Sequence, residues 1–151
     1  MSGAAVMVAT TVAADPETAF RLFTVEVDRW WRRGPVYRFR PAGDGTMRFE
    51  PGPDGRLLEA YPDGTEFEVG RIRAWEPGRR LAFSWRNPNY APGEETEVEV
   101  RFAAVPGGTR VTVRHAGLDR LRPGHPARHG LADVALLRMM GDWWRQQIAG
   151  L

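Results

Sequence analysis

The sequence predicts an α+β domain: a curved antiparallel sheet of about seven strands around a long C-terminal helix, with two short helices after the first strand. Three observations carry this expectation. Short runs of alternating apolar and polar residues recur between turn pairs such as Asp54-Gly55, Asp63-Gly64 and Gly107-Gly108, the mark of successive hairpins. Asp15-Pro16-Glu17 opens a helix directly after a strand-like N-terminal run. The segment from about Pro126 to Gly150 carries a broad apolar face at helical spacing.

The elements follow in order. Val6, Val8 and Val12 alternate within the first strand, Val6 to Ala13. Asp15 is placed as N-cap, Pro16 at the first helical position and Glu17 in the first turn. Ala19, Phe20, Phe23 and Val27 then recur at helical spacing, and Gly34-Pro35 ends the helical segment after Trp30-Trp31. Strands are expected at 36–40, 46–50, 56–60, 65–75, 80–85, 95–105 and 109–115. In the strand from Thr65 the apolar phase slips from Phe67 and Val69 to Ile72 and Ala74. Gly70 stands at the slip, which predicts a bulge. On the last helix, Leu136, Leu137, Met140, Trp143, Trp144 and Ile148 share one side, and Arg138, Asp142, Arg145 and Gln146 the other.

The composition excludes several classes. There is no cysteine, so neither disulfides nor thiolate chemistry are available. No apolar run approaches the roughly 20 residues of a membrane span, and the N-terminus lacks the basic region of a signal peptide. A cytoplasmic protein without membrane insertion is expected. All 21 basic residues are Arg, against 19 acids. They are interleaved with the acids along the chain, so no nucleic-acid partner is expected. No nucleophile elbow or phosphate loop appears.

Two groups of residues invite chemistry. Six tryptophans, Trp30, Trp31, Trp75, Trp85, Trp143 and Trp144, are many for 151 residues. They read either as plain core or as the walls of a cavity for a flat ring system. His125, His129 and Asp133 are spaced four apart, which on a continuous helix could hold a metal or move a proton. Gly124, Pro126 and Gly130 interrupt that helix. A start near Leu131 leaves Asp133 as a first-turn acid favoured by the helix dipole, and a polar contact at a cavity mouth. No catalytic residue, metal or cofactor is assigned. His115 is expected to be a satisfied structural histidine, Arg71 and Arg73 to lie on a solvated sheet face, and the loop 87–95 to be placed as a lid.

The order of elements resembles the helix-grip arrangement of the START-like superfamily, which includes the birch-pollen-allergen-like proteins. "ADPETAFRLFT…DRWW", "GRLLEAYPDGTEFEVGRIRAWEPGRRLAFSW" and "TEVEVRFAAVPGGTRVTVRHAGLDRL" resemble the bacterial family homologous to the activator of the heat-shock-protein-90 ATPase. The likeness covers almost the whole chain. It implies an internal cavity that binds a hydrophobic or aromatic small molecule, a lipid or a polyketide-type natural product. Members in antibiotic clusters, akin to enediyne self-resistance proteins, imply a role in biosynthesis or self-resistance. The Arg-only composition agrees with a high-GC bacterium. An enzyme of the polyketide cyclase or aromatase kind and a chaperone-ATPase regulator involved in stress response are the alternatives. The co-chaperone acts beside a second domain for which 151 residues leave no room, so chaperone contact is not expected. The cavity residues implied are Trp30, Trp31, Tyr37 and Phe39 from the first third of the chain. The strands add Phe67, Val69, Phe83, Trp85, Val100, Phe102 and Val113. The C-terminal segment adds His129, Asp133, Leu137, Met140 and Trp144.

Overall fold

The computed structural model describes residues 5–31, 45–86, 88, 90–121, 124–128 and 130–151. The strand expected at 36–40 and the candidates Tyr37, Phe39 and His129 lie outside them.

The chain opens with β1 (Ala5–Val12) and two short helices, α1 (Pro16–Thr24) and α2 (Val27–Trp30). Strands β2 (Thr46–Phe49), β3 (Arg56–Ala60), β4 (Glu66–Glu76), β5 (Arg80–Trp85), β6 (Thr96–Val105) and β7 (Gly108–Ala116) follow. Helix α3 (Asp133–Ile148) ends the fold. All neighbouring strands pair antiparallel in the order β1-β7-β6-β5-β4-β3-β2. Only β1 is out of sequence order, so the chain leaves it through α1 and α2, runs a meander from the far edge, and returns. Among the described residues no helix is long and apolar enough to cross a membrane.

Local chemistry explains the element ends. The Asp15 carboxylate accepts from the Thr18 N–H at 2.7 Å, and Pro16 opens α1. That hydrogen bond holds the Asp15 carboxyl below its ordinary pKa. The phase slip in β4 is real. Leu57 pairs with Gly70 and Leu58 with Glu68, so Val69 is the extra residue of a bulge. A second shift falls between Ile72 and Ala74. Gly70 also lacks the Cβ that would overlap the Ser84 carbonyl. The two bulges bend the sheet.

The C-terminal helix is shorter than the sequence predicts. It begins at Asp133, close to the start near Leu131 that the interrupting glycines and Pro126 suggest and not at Pro126, because Gly130 turns the chain at φ +75° and Ala132 is extended as N-cap. Pro126–Arg128 form only a 3-10 turn. His125 and Asp133 therefore do not share a helix face.

The concave face of the sheet holds the core. Val8, Val113, Val100, Leu81 and Trp75 lie in one cross-strand row, and Val6, His115, Val98, Phe83 and Ile72 in the next. Nearly all are buried. Helix α1 covers one end of these rows through Phe20, whose ring meets Trp75 at 5.1 Å and Phe102 at 5.2 Å. Helix α3 crosses β1, where Gly141 comes close to Val6. Arginines and acids pair outside the core: Arg80 with Glu99 at 2.8 Å, Arg71 with Glu68 at 3.1 Å, Arg73 with Glu95 at 2.9 Å. Arg71 and Arg73 are thus on the solvated face, as expected. The Arg56 guanidinium, 2.7 Å from Glu50, draws the Glu50 carboxyl down to about 2.

Candidate functional site

Aromatic rings concentrate where the end of β5 meets α3. The Trp31 ring stacks on Trp85 at 5.2 Å with planes 28° apart. Trp143 meets both edge-on at 5.6 Å, and Trp144 meets Trp143 at 4.9 Å and Trp85 at 6.1 Å. Each such pair contributes about 0.5–1.5 kcal/mol beyond its buried area. Trp85 reaches this place because β5 alternates Leu81, Phe83 and Trp85 toward the interior. Trp143 and Trp144 reach it because they occupy adjacent positions on the buried side of α3.

A buried polar chain fixes the cluster. The Trp144 indole N–H donates to His115 Nδ1 at 3.1 Å, and His115 Nε2 lies 2.7 Å from Thr96 Oγ1. Since Nδ1 accepts, the proton of the neutral ring sits on Nε2 and is donated to Thr96. The Thr96 hydroxyl in turn points to the Trp85 carbonyl at 3.4 Å. His115 is fully buried, and burial pushes its pKa down to about 3. It is a satisfied structural histidine, held neutral.

The other candidates distribute around this centre. Phe83 packs edge-on against Phe49 at 5.3 Å. Val100 and Val113 are directly paired in the middle of the concave face. Phe102 sits under α1, and Val69 occupies the bulge of β4. Phe67, at the start of β4, carries the Arg86 guanidinium 5.3 Å from its ring centre. Met140 is buried and Leu137 partly buried on α3. Trp30 is buried at the α1–α2 joint, its indole N–H donating to the Leu22 and Phe23 carbonyls at 3.1 and 3.2 Å. Phe67, Phe83, Trp85, Val100 and Val113 therefore share one wall, with Trp31 and Trp144 against it, while Trp30 and Phe102 belong to the α1 end.

The loops beside β5 and α3 form the rim. His125 donates from Nε2 to Glu94 Oε1 at 3.0 Å, and Tyr90 meets the His125 ring edge-on at 4.7 Å. This contact ties the loop between β5 and β6 to the segment leading into α3. Arg128 organises that segment. Its guanidinium donates to the carbonyls of Leu121 at 2.9 Å, Asp119 at 3.2 Å and Leu131 at 3.4 Å, and to Asp133 Oδ1 at 2.7 Å. Asp133 is half-exposed there. An open cleft of about 730 Å³ lies against this segment, lined by Asp119, Leu121, Arg128, Leu131, Asp133 and Val134 among others. Among the described residues no three His, Asp or Glu side chains cluster as a metal site would require.

Two buried polar side chains at this end were not singled out in the sequence. Arg128 looks like any surface arginine until its four acceptors are seen. Glu59, fully buried on the inner face of β3, stands in the run Arg56-Leu57-Leu58-Glu59-Ala60, which fits a strand in either phase.

The family model described as "Activator of Hsp90 ATPase homolog 1-like protein" matches residues 13–146. No curated protein resembles the chain closely enough to count as a relative. Among solved structures, an anthrahydroquino-γ-pyrone synthase, Txn09, is 30% identical, with TM-score 0.54, covering 97% of this chain and 88% of that one. DynU16, from the dynemicin biosynthetic locus, is 18% identical with TM-score 0.65, covering 97% of this chain and 45% of its own. Protein MLL2253 of Mesorhizobium loti is 18% identical with TM-score 0.66, covering 97% and 93%. The last two likenesses concern the fold.

Proposed function

We propose that this chain, which belongs to the Activator of Hsp90 ATPase homolog 1-like family, binds an aromatic, polyketide-type small molecule between its sheet and α3, as one step of a natural-product pathway. The observation that carries the reading is the Trp31–Trp85–Trp143–Trp144 cluster. Four large flat rings meet at the interior end of β5, beside rim loops rather than in the middle of the sheet. Flat ring systems are held by such walls through large contact area and offset or edge-on geometry. The relation to Txn09, a synthase of an anthrahydroquinone-fused pyrone by its description, supports ligands of polycyclic aromatic character.

The test is a tryptophan-fluorescence titration against fatty acids, flavonoids and anthraquinones. Saturable quenching by the anthraquinones is expected, with weaker response to fatty acids. No saturable response from any class overturns the proposal. Txn09 also favours a second reading, an enzyme that closes a ring on such a ligand. That reading expects product to form from a linear aromatic polyketide precursor in the presence of the protein alone, and fails if the precursor is bound and released unchanged.

A further inference from the structure

Resting on the ligand reading above, we infer that a flat ligand stacks on Trp85 in the place that Trp31 fills, so that Trp31 is a ring the ligand displaces. The ring separations are the argument. Trp31 and Trp85 stack with centres 5.2 Å apart, Trp143 meets both edge-on at 5.6 Å, and Trp144 meets Trp143 at 4.9 Å. Aromatic rings in direct contact have centres about 4.5–7 Å apart, so these four touch. A further ring between the faces of Trp31 and Trp85 would part their centres to about 7 Å, two van der Waals contacts of about 3.5 Å each. All four rings are buried. A flat ligand among them therefore enters by taking the place of one.

Three of the four are held where they are. Trp85 lies on β5, where it pairs with Thr96 of β6, and the next N–H, that of Arg86, donates to the Val69 carbonyl of β4 at 2.9 Å. Trp143 and Trp144 lie on α3, a helix of 16 residues, and the Trp144 indole N–H is bound to His115. Trp31 follows α2, a helix of four residues, and its own backbone is already extended at φ −69° and ψ 114°. Other residues anchor α2. The Trp30 indole N–H donates to the Leu22 and Phe23 carbonyls, and Asp28 Oδ1 accepts from the Met47 N–H at 2.9 Å. Trp31 can thus turn away while α2 stays in place. Its position also suits a planar ligand. Among the described residues Trp31 on Trp85 is the one near-parallel ring contact, with planes 28° apart. A planar ligand there recovers the contacts that Trp31 makes with Trp85 and Trp143. While Trp31 fills the place, the apparent affinity is reduced to the fraction of molecules in which it is open.

The test measures 2-hydroxyanthraquinone binding by calorimetry to the wild type, Trp31→Ala and Trp31→Phe, with denaturation curves for all three. Removing the competing ring is expected to tighten binding in Trp31→Ala by roughly ten-fold or more, the gain when the open form is roughly a tenth of the population or less. Trp31→Phe, a smaller competitor, is expected to fall between. A folded Trp31→Ala that binds no tighter than the wild type, or more weakly as the loss of a fixed wall requires, overturns this inference and leaves the ligand reading standing. If Trp31→Ala does not fold, hydrogen exchange at the Trp31 indole N–H of the wild type carries the test. That group is buried in the free protein and is expected to exchange faster when the protein is saturated with the quinone. Continued protection overturns the inference. No binding by any of the folded proteins removes the ligand reading and this inference with it.

Discussion

His115 makes the protein's stability depend on pH in a way that can be worked out from the structure. The ring is fully buried, its Nδ1 accepts from Trp144, and its pKa is about 3 in the folded state. In the unfolded chain it returns to about 6.5. Below pH 6.5 the unfolded state binds a proton that the folded state refuses. The contribution of a neutral His115 is therefore complete above pH 6.5 and is lost as pH falls, down to the folded value. The slope is about 1.4 kcal/mol per pH unit. Between pH 7.5 and pH 5.0 this amounts to about 2 kcal/mol, and the figure requires only that the folded pKa lie below 5. Other groups contribute to the pH dependence as well, so the comparison is with His115→Gln. The glutamine Oε1 can accept from Trp144 and its amide can donate to Thr96, but it does not titrate. Urea denaturation at the two pH values should show the wild type losing about 2 kcal/mol more than the variant. Equal losses would refute the reasoning and place a charged or exposed ring where the structure has a neutral buried one.

Other substitutions probe the scaffold. Gly70→Ala should be severely destabilising, by about 2 kcal/mol or more, because the new Cβ meets the Ser84 carbonyl and the bulge must open; a denaturant midpoint near the wild type would contradict it. Trp85→Ala should cost about 3–5 kcal/mol and lower the packing of Trp31, Trp143 and Trp144 together, read by near-UV circular dichroism. Arg128→Met leaves three carbonyls without their donor and should cost about 1–3 kcal/mol. Hydrogen exchange should rise in residues 118–133 while the strands stay protected, and uniform exchange across the chain would contradict the local role.

Much of the scaffold was legible because each element carried its own signal. Asp15 and Pro16 mark α1, the turn pairs mark the hairpins, and the phase slip around Gly70 reported the bulge. The start of α3 was legible only in part: apolar spacing continues upstream of Asp133, Gly124, Pro126 and Gly130 argue for a start near Leu131, and the positive φ of Gly130 with the extended Ala132 sets it at Asp133. The inner tryptophans were readable from period, as Trp143 and Trp144 lie among buried helix positions and Trp85 follows Phe83 by two. Their partners were not. Nothing local says that His115 receives the Trp144 N–H from 29 residues away, or that His125 reaches Glu94 across 31. Glu59 was hidden for a different reason. Two adjacent leucines make both strand phases look equally apolar, and the register that turns the carboxylate inward is set by β2 and β4.

The central claim is that a flat aromatic ligand sits among the tryptophans between sheet and α3. Following the six indole N–H resonances by NMR during titration with 2-hydroxyanthraquinone tests it most directly. The account predicts saturable shifts for Trp31, Trp85 and Trp143, with Trp75, packed against Phe20 at the α1 end, unchanged. Saturation with shifts confined to surface backbone amides, or no shifts at all, would contradict it.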